Sequence, residues 1–220
     1  MSAASMWTAM QAAIAAVTPY QGNDPVASAA YRAAVGEAMC TAIISEQNTP
    51  IAWDGTNDRV LDVGQFTQDS FTSATSMPLH IACGDGQIYE IELNGNYTVT
   101  TAASSGSYLQ SNNTAPATNS FDYTQIYAAN AVATASYGTA ALGGFAFTNA
   151  LSSAFSAEIK VFTSTNKKRT LSHSTSQITG TQYAGILDVS HSDITTVWSS
   201  IGTITMPNSW SGQVVCRRVA

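Results

Sequence analysis

With 220 residues the chain has room for one core-bearing domain and a smaller appendage, without disulfide or metal staples. Charged side chains make up only 10% of it, against about a quarter in ordinary soluble domains, so Ser, Thr, Asn and Gln must carry the surface and little charge repulsion keeps copies apart. A formal net charge of −6 argues against nucleic acid as a partner; Cys40, Cys83 and Cys216 are too scattered for a disulfide framework or a zinc site; and no apolar run is long enough for a membrane-spanning helix.

Residues 3–17, AASMWTAMQAAIAAV, place Met6, Met10, Ile14 and Val17 at helical spacing, with Trp7 beside them and Pro19 ending the run. The start of the chain lacks a basic segment before its apolar residues, so no secretory leader is expected. Asp24 is a good N-cap and Pro25 a good first helical residue, which predicts a second helix from Pro25 to Ser45. Its apolar stripe is expected along Val26, Ala30, Ala34, Ala38 and Ile43, with Tyr31, Val35, Met39 and Ala42 beside it and Cys40 a buried thiol. Ala dominates both helices, so their contact is close but poor in buried area. Residues 1–46 therefore read as a helical attachment or oligomerisation region, with Met6, Trp7, Met10 and Ile14 as candidate assembly contacts. The competing reading lays the helices across an open sheet face, completing the core of a monomer.

Residues 47–78 read as a connector, with short strands at Ile51–Trp53 and Arg59–Val63 and with Phe66 and Phe71 as anchors. A β-sandwich domain is expected over 79–220, opening with Leu79–Cys83 and the turn Gly84-Asp85-Gly86. In QIYEIELNGNYTVTT (Gln87–Thr101), Tyr89, Ile91 and Leu93 alternate with Glu90 and Glu92, and Asn94-Gly95 predicts a tight hairpin turn. Residues 102–120 read as a polar loop pinned by Tyr108 and Leu109. Further strands are expected at Phe121–Ala128, Phe145–Phe147, Ala157–Thr163, Arg169–Ser174, Tyr183–Val189, Ile194–Ser199, Ile201–Thr205 and Gln213–Val219, with a turn at Pro207–Ser211 and Ile159 and Val161 on a central strand. Residues 128–144 are open between strand, helix and loop. The fold class expected is α+β: Ala-rich helices followed by an all-β sandwich, jelly-roll-like.

Candidate chemistry is sparse. Asp54, Asp58 and Asp62 surround Gly55 and Asn57, but their spacing is not that of a calcium loop, and turn caps explain them better. His173, His191 and Asp193 lie among many serines, yet no G-x-S-x-G elbow is present. Glu90 and Glu92 would suit a glycosidase only with a carboxylate facing them across a cleft. Lys167-Lys168-Arg169 is a basic hairpin tip suited to solubility, an anion or a subunit salt bridge. Asn96-Tyr97-Thr98 matches a glycosylation acceptor, which without a secretory signal is not invoked. Tyr108, Tyr183, Trp198 and Trp210 are the candidate rings for glycan or partner contact. Six of the eight basic residues lie from Lys160 onward, which suits head-to-tail attraction between copies.

Four segments resemble surface proteins of tailed bacteriophages: GQIYEIEL (86–93), GSYLQSNNTAP (106–116), EIKVFTSTNKKRTLSHS (158–174) and WSGQVVCRRV (210–219). The resemblance implies an outward-facing sandwich preceded by a narrow N-terminal part that binds the capsid or tail. The expectation is a non-enzymatic virion structural protein, a capsid decoration or fibre-like component. It would be made in the host cytoplasm and displayed on the virion surface, without cofactor, membrane or nucleic-acid partner. Its partners would be copies of itself in a trimer or array, phage capsid or tail proteins, and host surface glycans. The alternatives are a carbohydrate-binding or adhesive module, and a small hydrolase on a sandwich scaffold.

Overall fold

The structure is a computed structural model that describes residues 3–17, 19, 22, 24–97, 107–111, 121–129, 132–140, 144–146, 154–164, 168–178, 181–191 and 198–220. The chain divides into two compact units, Met1–Pro50 and Ile51–Ala220. It is an α+β protein: two N-terminal helices, then a strand-rich, sandwich-like sheet.

The helical unit pairs α1 (Ala3–Ala15) with α2 (Pro25–Gln47). Asp24 caps α2 as its sequence position predicts: Oδ1 accepts the Val26 N–H at 2.9 Å, while its carbonyl accepts the Ser28 N–H. The half-buried stripe of α2 runs along Tyr31, Val35, Met39, Ala42 and Ile43. Val26, Ala30 and Ala34 are exposed, so the face is rotated by about one residue from the expected one. Tyr31, Val35 and Met39 take the contact in the middle of the helix, while Ala30 and Ala34 are left outside. Cys40, expected to be buried, is exposed on the same helix.

The second unit begins with a two-residue strand, β1 (Arg59–Val60), parallel to β2 (Phe66–Ala82). The other strands are β3 (Ile88–Tyr97), β4 (Ser107–Ser111), β5 (Phe121–Ala129), β6 (Val132–Ala140), β7 (Gly144–Ala146), β8 (Ala154–Phe162), β9 (Arg169–Ile178), β10 (Thr181–His191) and β11 (Ser200–Arg218). Their order in the sheet is β1-β2-β11-β3-β8-β9-β10-β5-β6, with β4 paired to β11 and β7 to β4. The C-terminal part of β11 pairs β3, as at Val214↔Leu93, while its N-terminal part pairs β4, as at Ile204↔Leu109. Strand β2 follows β11 through both parts. One pair of long strands thus serves two sets of neighbours, and β7 comes back against β9 and β10. Tyr89, Ile91 and Leu93 of β3 and Ile159 and Val161 of β8 share one core with Leu79 and Ile81 of β2 and Ile201 and Ile204 of β11.

Several local expectations are corrected. Phe66–Ser76, expected within a connector, is the first part of β2, because its role is to pair with the distant β11 rather than to present an apolar face of its own. The polar loop expected over 102–120 contains β4, and the ambiguous 128–144 contains β6. Ile51–Trp53 is not strand. The turn expected at Pro207–Ser211 is a break in the β2–β11 ladder, between Thr205↔Ser76 and Trp210↔Ala74, inside one continuous strand. Opposite it, Ser73 takes φ 49 and donates its N–H to Ser211 Oγ at 2.8 Å. The strand expected at 194–199 lies mostly outside the described residues.

The largest correction concerns Asn94-Gly95. No hairpin forms there; β3 runs straight through, and Gly95 pairs with Gly212 on β11 and with Phe155 on β8. The Trp210 indole covers this glycine pair: a Cβ on either glycine would stand 2.6 Å from Trp210 Cζ2 and would also meet the facing backbone. Gly95 is there for close approach, not for a turn. Gly95→Ala is therefore expected to destabilise the sheet by about 3 kcal/mol or more. Denaturant unfolding checks this, and wild-type stability would show that the strands do not approach so closely. Val161 is fully buried in β8, and Val161→Asp is expected to cost on the order of 3 to 5 kcal/mol in thermal unfolding.

Candidate functional site

Residues 51–58 form a loop whose shape follows from its Asp and Gly. Asp54 Oδ1 accepts the N–H groups of Thr56 (2.8 Å) and Asn57 (2.9 Å), its Oδ2 accepts Asn57 Nδ2–H (3.3 Å), and Gly55 takes φ 87. These N–H groups, Asn57 first and then Thr56, hold the Asp54 carboxyl below its ordinary value of 3.8. Asp54 is thus a turn cap, as its sequence context suggests, while Asp58 faces His80 instead.

The loop is tied to the sheet on both sides. The Ile51 N–H donates to the Phe66 carbonyl at 2.8 Å. Arg59, only 5% exposed, forms a two-pronged ion pair with Asp69 of β2 (3.0 and 2.6 Å) and also donates to the carbonyls of Ile51 and Leu79. One buried guanidinium therefore joins the loop, β1 and two separate points of β2.

This frame presents Trp53. Its Nε1–H donates to the Asn57 carbonyl at 3.0 Å, and its ring lies flat on His80, with centroids 3.8 Å apart and planes 2° from parallel. His80 is a non-glycine residue in the left-handed region, φ 51, and its Nδ1 lies 3.6 Å from Asp58 Oδ1. The indole is nevertheless 43% exposed. One face is covered by the imidazole, so the exposure falls on the other face and the edges. The result is a fixed aromatic plate on a loop that also carries Asp54, Thr56, Asn57 and Asp58.

Nearby nucleophile candidates are switched off by burial. The Cys83 thiol is pushed up to about 12 by desolvation, with the Asp58 charge adding to it, and its Sγ–H donates to the Trp198 carbonyl at 3.0 Å. Burial likewise pushes up the Tyr89 hydroxyl and the Cys216 thiol.

The ring residues singled out from sequence are distributed differently. Trp198 (5% exposed) and Trp210 (0%) are core residues, so neither offers a ring to a glycan or partner. Both sit where the sandwich needs large apolar volume. The side chains of Tyr108 and Tyr183 lie outside the described residues, although β4 and β10 carry their backbones. In the helical unit Trp7 is 57% exposed, Met10 and Ile14 are half-buried, and the Met6 side chain lies outside the described residues. Trp53 is not among the rings expected to bind, because its place at the end of an expected short strand, Ile51–Trp53, in itself carries no sign of a site. Its signal was its setting: a Trp followed by Asp-Gly-Thr-Asn-Asp, unlike the strand-borne Trp210.

The outer face of β3, β8, β9 and β10 bears an open groove of ≈ 410 Å³, lined by Glu90, Glu92, Glu158, Lys160, His173 and Ile186 among others. Glu90 pairs with Lys160 at 3.0 Å, while Glu158 stands opposite Glu92 on one side and His173 on the other. The carboxylates rise from one face, so they do not flank a bond from two sides as glycoside hydrolysis needs. Arg169, expected in a basic hairpin tip suited to solubility, an anion or a subunit salt bridge, binds Asp188 of its own chain through both Nε and Nη2; Lys168 is buried, and Lys167 lies outside the described residues. Asp193 and the His191 side chain also lie outside them.

No protein-family model, curated protein or solved structure matches this chain.

The Asp54 cap makes the plate acid-sensitive. The folded carboxyl titrates below 3.8, so its support is complete above that value and is lost as pH falls through the lowered folded value. The Trp53 indole NMR signal is expected to lose its His80-stacked position in that acid range before the Trp198 and Trp210 signals change. Asp54→Ala should produce the same loosened signal at neutral pH; an unmoved Trp53 signal in the variant would show that the cap does not hold the plate.

Proposed function

We propose that this chain is a non-enzymatic structural protein of a tailed-phage virion surface, a capsid decoration or fibre-like component. The helical unit joins it to other copies, in a trimer or array, and to capsid or tail proteins. The observation that carries this reading is the unfinished burial of that unit. Among the described residues of Met1–Pro50 no side chain is fully buried, and Trp7, Val26 and Ile44 stand exposed. Short helices depend on tertiary support, and these two give each other little of it.

The sheet offers a second support. Among the described residues β6 is paired only with β5, and its sequence, VATASYGTA, has neither charge nor proline. Its described side chains, Val132–Tyr137, are exposed on both faces. Edges kept solitary usually carry charge, proline or a bulge. A sparsely charged surface adds little long-range repulsion between copies.

The full-length protein is expected to sediment as a defined oligomer or array. Trp7→Asp should weaken that association by tenfold or more, about 1.4 kcal/mol. Immunogold labelling with an antibody raised against the chain should mark the surface of the phage particles that carry it. A stable monomer at high concentration, together with unlabelled particles, would overturn the proposal.

A further inference from the structure

We propose that the Trp53 plate is a saccharide-binding subsite, on which the C–H face of a pyranose ring stacks against the open side of the indole. The site does not depend on the virion reading and stands on the geometry of residues 51–58 and 80.

Three features point to a ligand. The plate is held more firmly than an idle surface ring requires: His80 beneath it, the Asn57 carbonyl at its N–H edge, the Asp54 cap and the buried Arg59 clamp. Such fixing removes the ordering cost that binding would otherwise meet. Second, His80, stacked under the ring, takes φ 51, a region uncommon for non-glycine residues. Strain of this kind clusters at binding and catalytic sites. Third, the exposed ring stands on a loop whose neighbouring residues Asp54, Thr56 and Asn57 are polar and exposed, so the surface matches a ligand that is apolar on one face and hydroxylated around its edge.

Pyranoses have that form. Their axial C–H groups carry slight positive charge and meet the negative face of an aromatic ring, while their equatorial hydroxyls reach outward to side chains such as those of Thr56, Asn57 and Asp58. A buried apolar ligand would need a cavity, whereas this plate is open. A cation would need an uncommitted carboxylate beside the ring, but Asp54 is engaged by the N–H groups of Thr56 and Asn57, and Asp58 faces His80.

The test uses the full-length chain, ¹⁵N-labelled at its indoles. It is titrated with methyl pyranosides of glucose, galactose, mannose and N-acetylglucosamine, and it is probed on a glycan array. At least one saccharide is expected to shift the Trp53 indole resonance saturably while those of Trp198 and Trp210 stay in place. Trp53→Ala should weaken binding of the same saccharide at least tenfold, and Trp53→Tyr, which keeps a flat ring, should lose less. Unchanged Trp198 and Trp210 resonances in both variants certify the fold, and if Trp53→Ala fails that check, Trp53→Tyr and the wild-type titration decide. The inference is overturned if no saccharide binds, if binding survives Trp53→Ala undiminished, or if tetramethylammonium moves the Trp53 signal and no sugar does.

Discussion

The sandwich depends on one close approach, the Gly95–Gly212 pair beneath the Trp210 indole. Strand β11 pairs β4 along its N-terminal part and β3 along its C-terminal part, and its ladder with β2 breaks between the two, beside Trp210. At that point β11 must lie tightly against β3, and the side-chain volume of Trp210 must go somewhere. Two facing glycines make room for it, and the indole fills the space that two Cβ atoms would have taken. The Tyr97 hydroxyl then reaches Met206 Sδ at 3.4 Å on the far side of the break, which fastens the end of β3 to the irregular part of β11. The result is one core shared by both parts of the ribbon, rather than two shallow ones.

The abundance of serine has a related explanation. Thr170, Ser172, Ser174 and Ser176 form a buried row on the inner face of β9, opposite Val161, Ile159, Ala157 and Phe155 of β8. Small hydroxyl side chains keep that face low, and β7 lies against it. Such serines fill a packing position, which is why their number says nothing about a nucleophile. The outer face carries the charges, and its basic groups meet acids on neighbouring strands, Lys160 with Glu90 and Arg169 with Asp188, while Glu92 and Glu158 stand opposite each other. In a chain with so few charges, most of the described basic side chains of the sheet therefore have partners within it.

Where local pattern and local structure coincide, the sequence was readable. Tyr89, Ile91 and Leu93 point inward because alternate residues of a strand do, and Asp24 caps α2 because a carboxylate before Pro25 meets free N–H groups. The division into helices and a strand-rich body was legible for the same reason. What failed were positions whose role is set by a distant segment. Asn94-Gly95 has the local chemistry of a turn, but Gly95 answers to Trp210 and Gly212, more than a hundred residues later. Phe66–Ser76 looked too polar to be strand because its burial pattern is irregular and its partner, β11, lies at the other end of the chain.

The four tryptophans make the same point about sites. Trp198 and Trp210 sit in the core, Trp7 on the exposed side of a helix, and Trp53 on a polar loop. Trp210 on β11 and Trp198 just before that strand are both taken up by the core, where burying such a ring contributes about 2 kcal/mol or more. A ring on a capped polar turn has no such outlet and stays at the surface. The feature that separates Trp53 from the others is therefore the loop chemistry around it: an Asp that closes the turn, a Gly that permits it, and an Arg that ties both ends to the sheet. The buried Arg59 guanidinium that pairs with Asp69 of β2 also holds the Ile51 carbonyl at the start of the same loop, so the loop that carries the exposed ring is anchored by the contacts that tie β1 to β2.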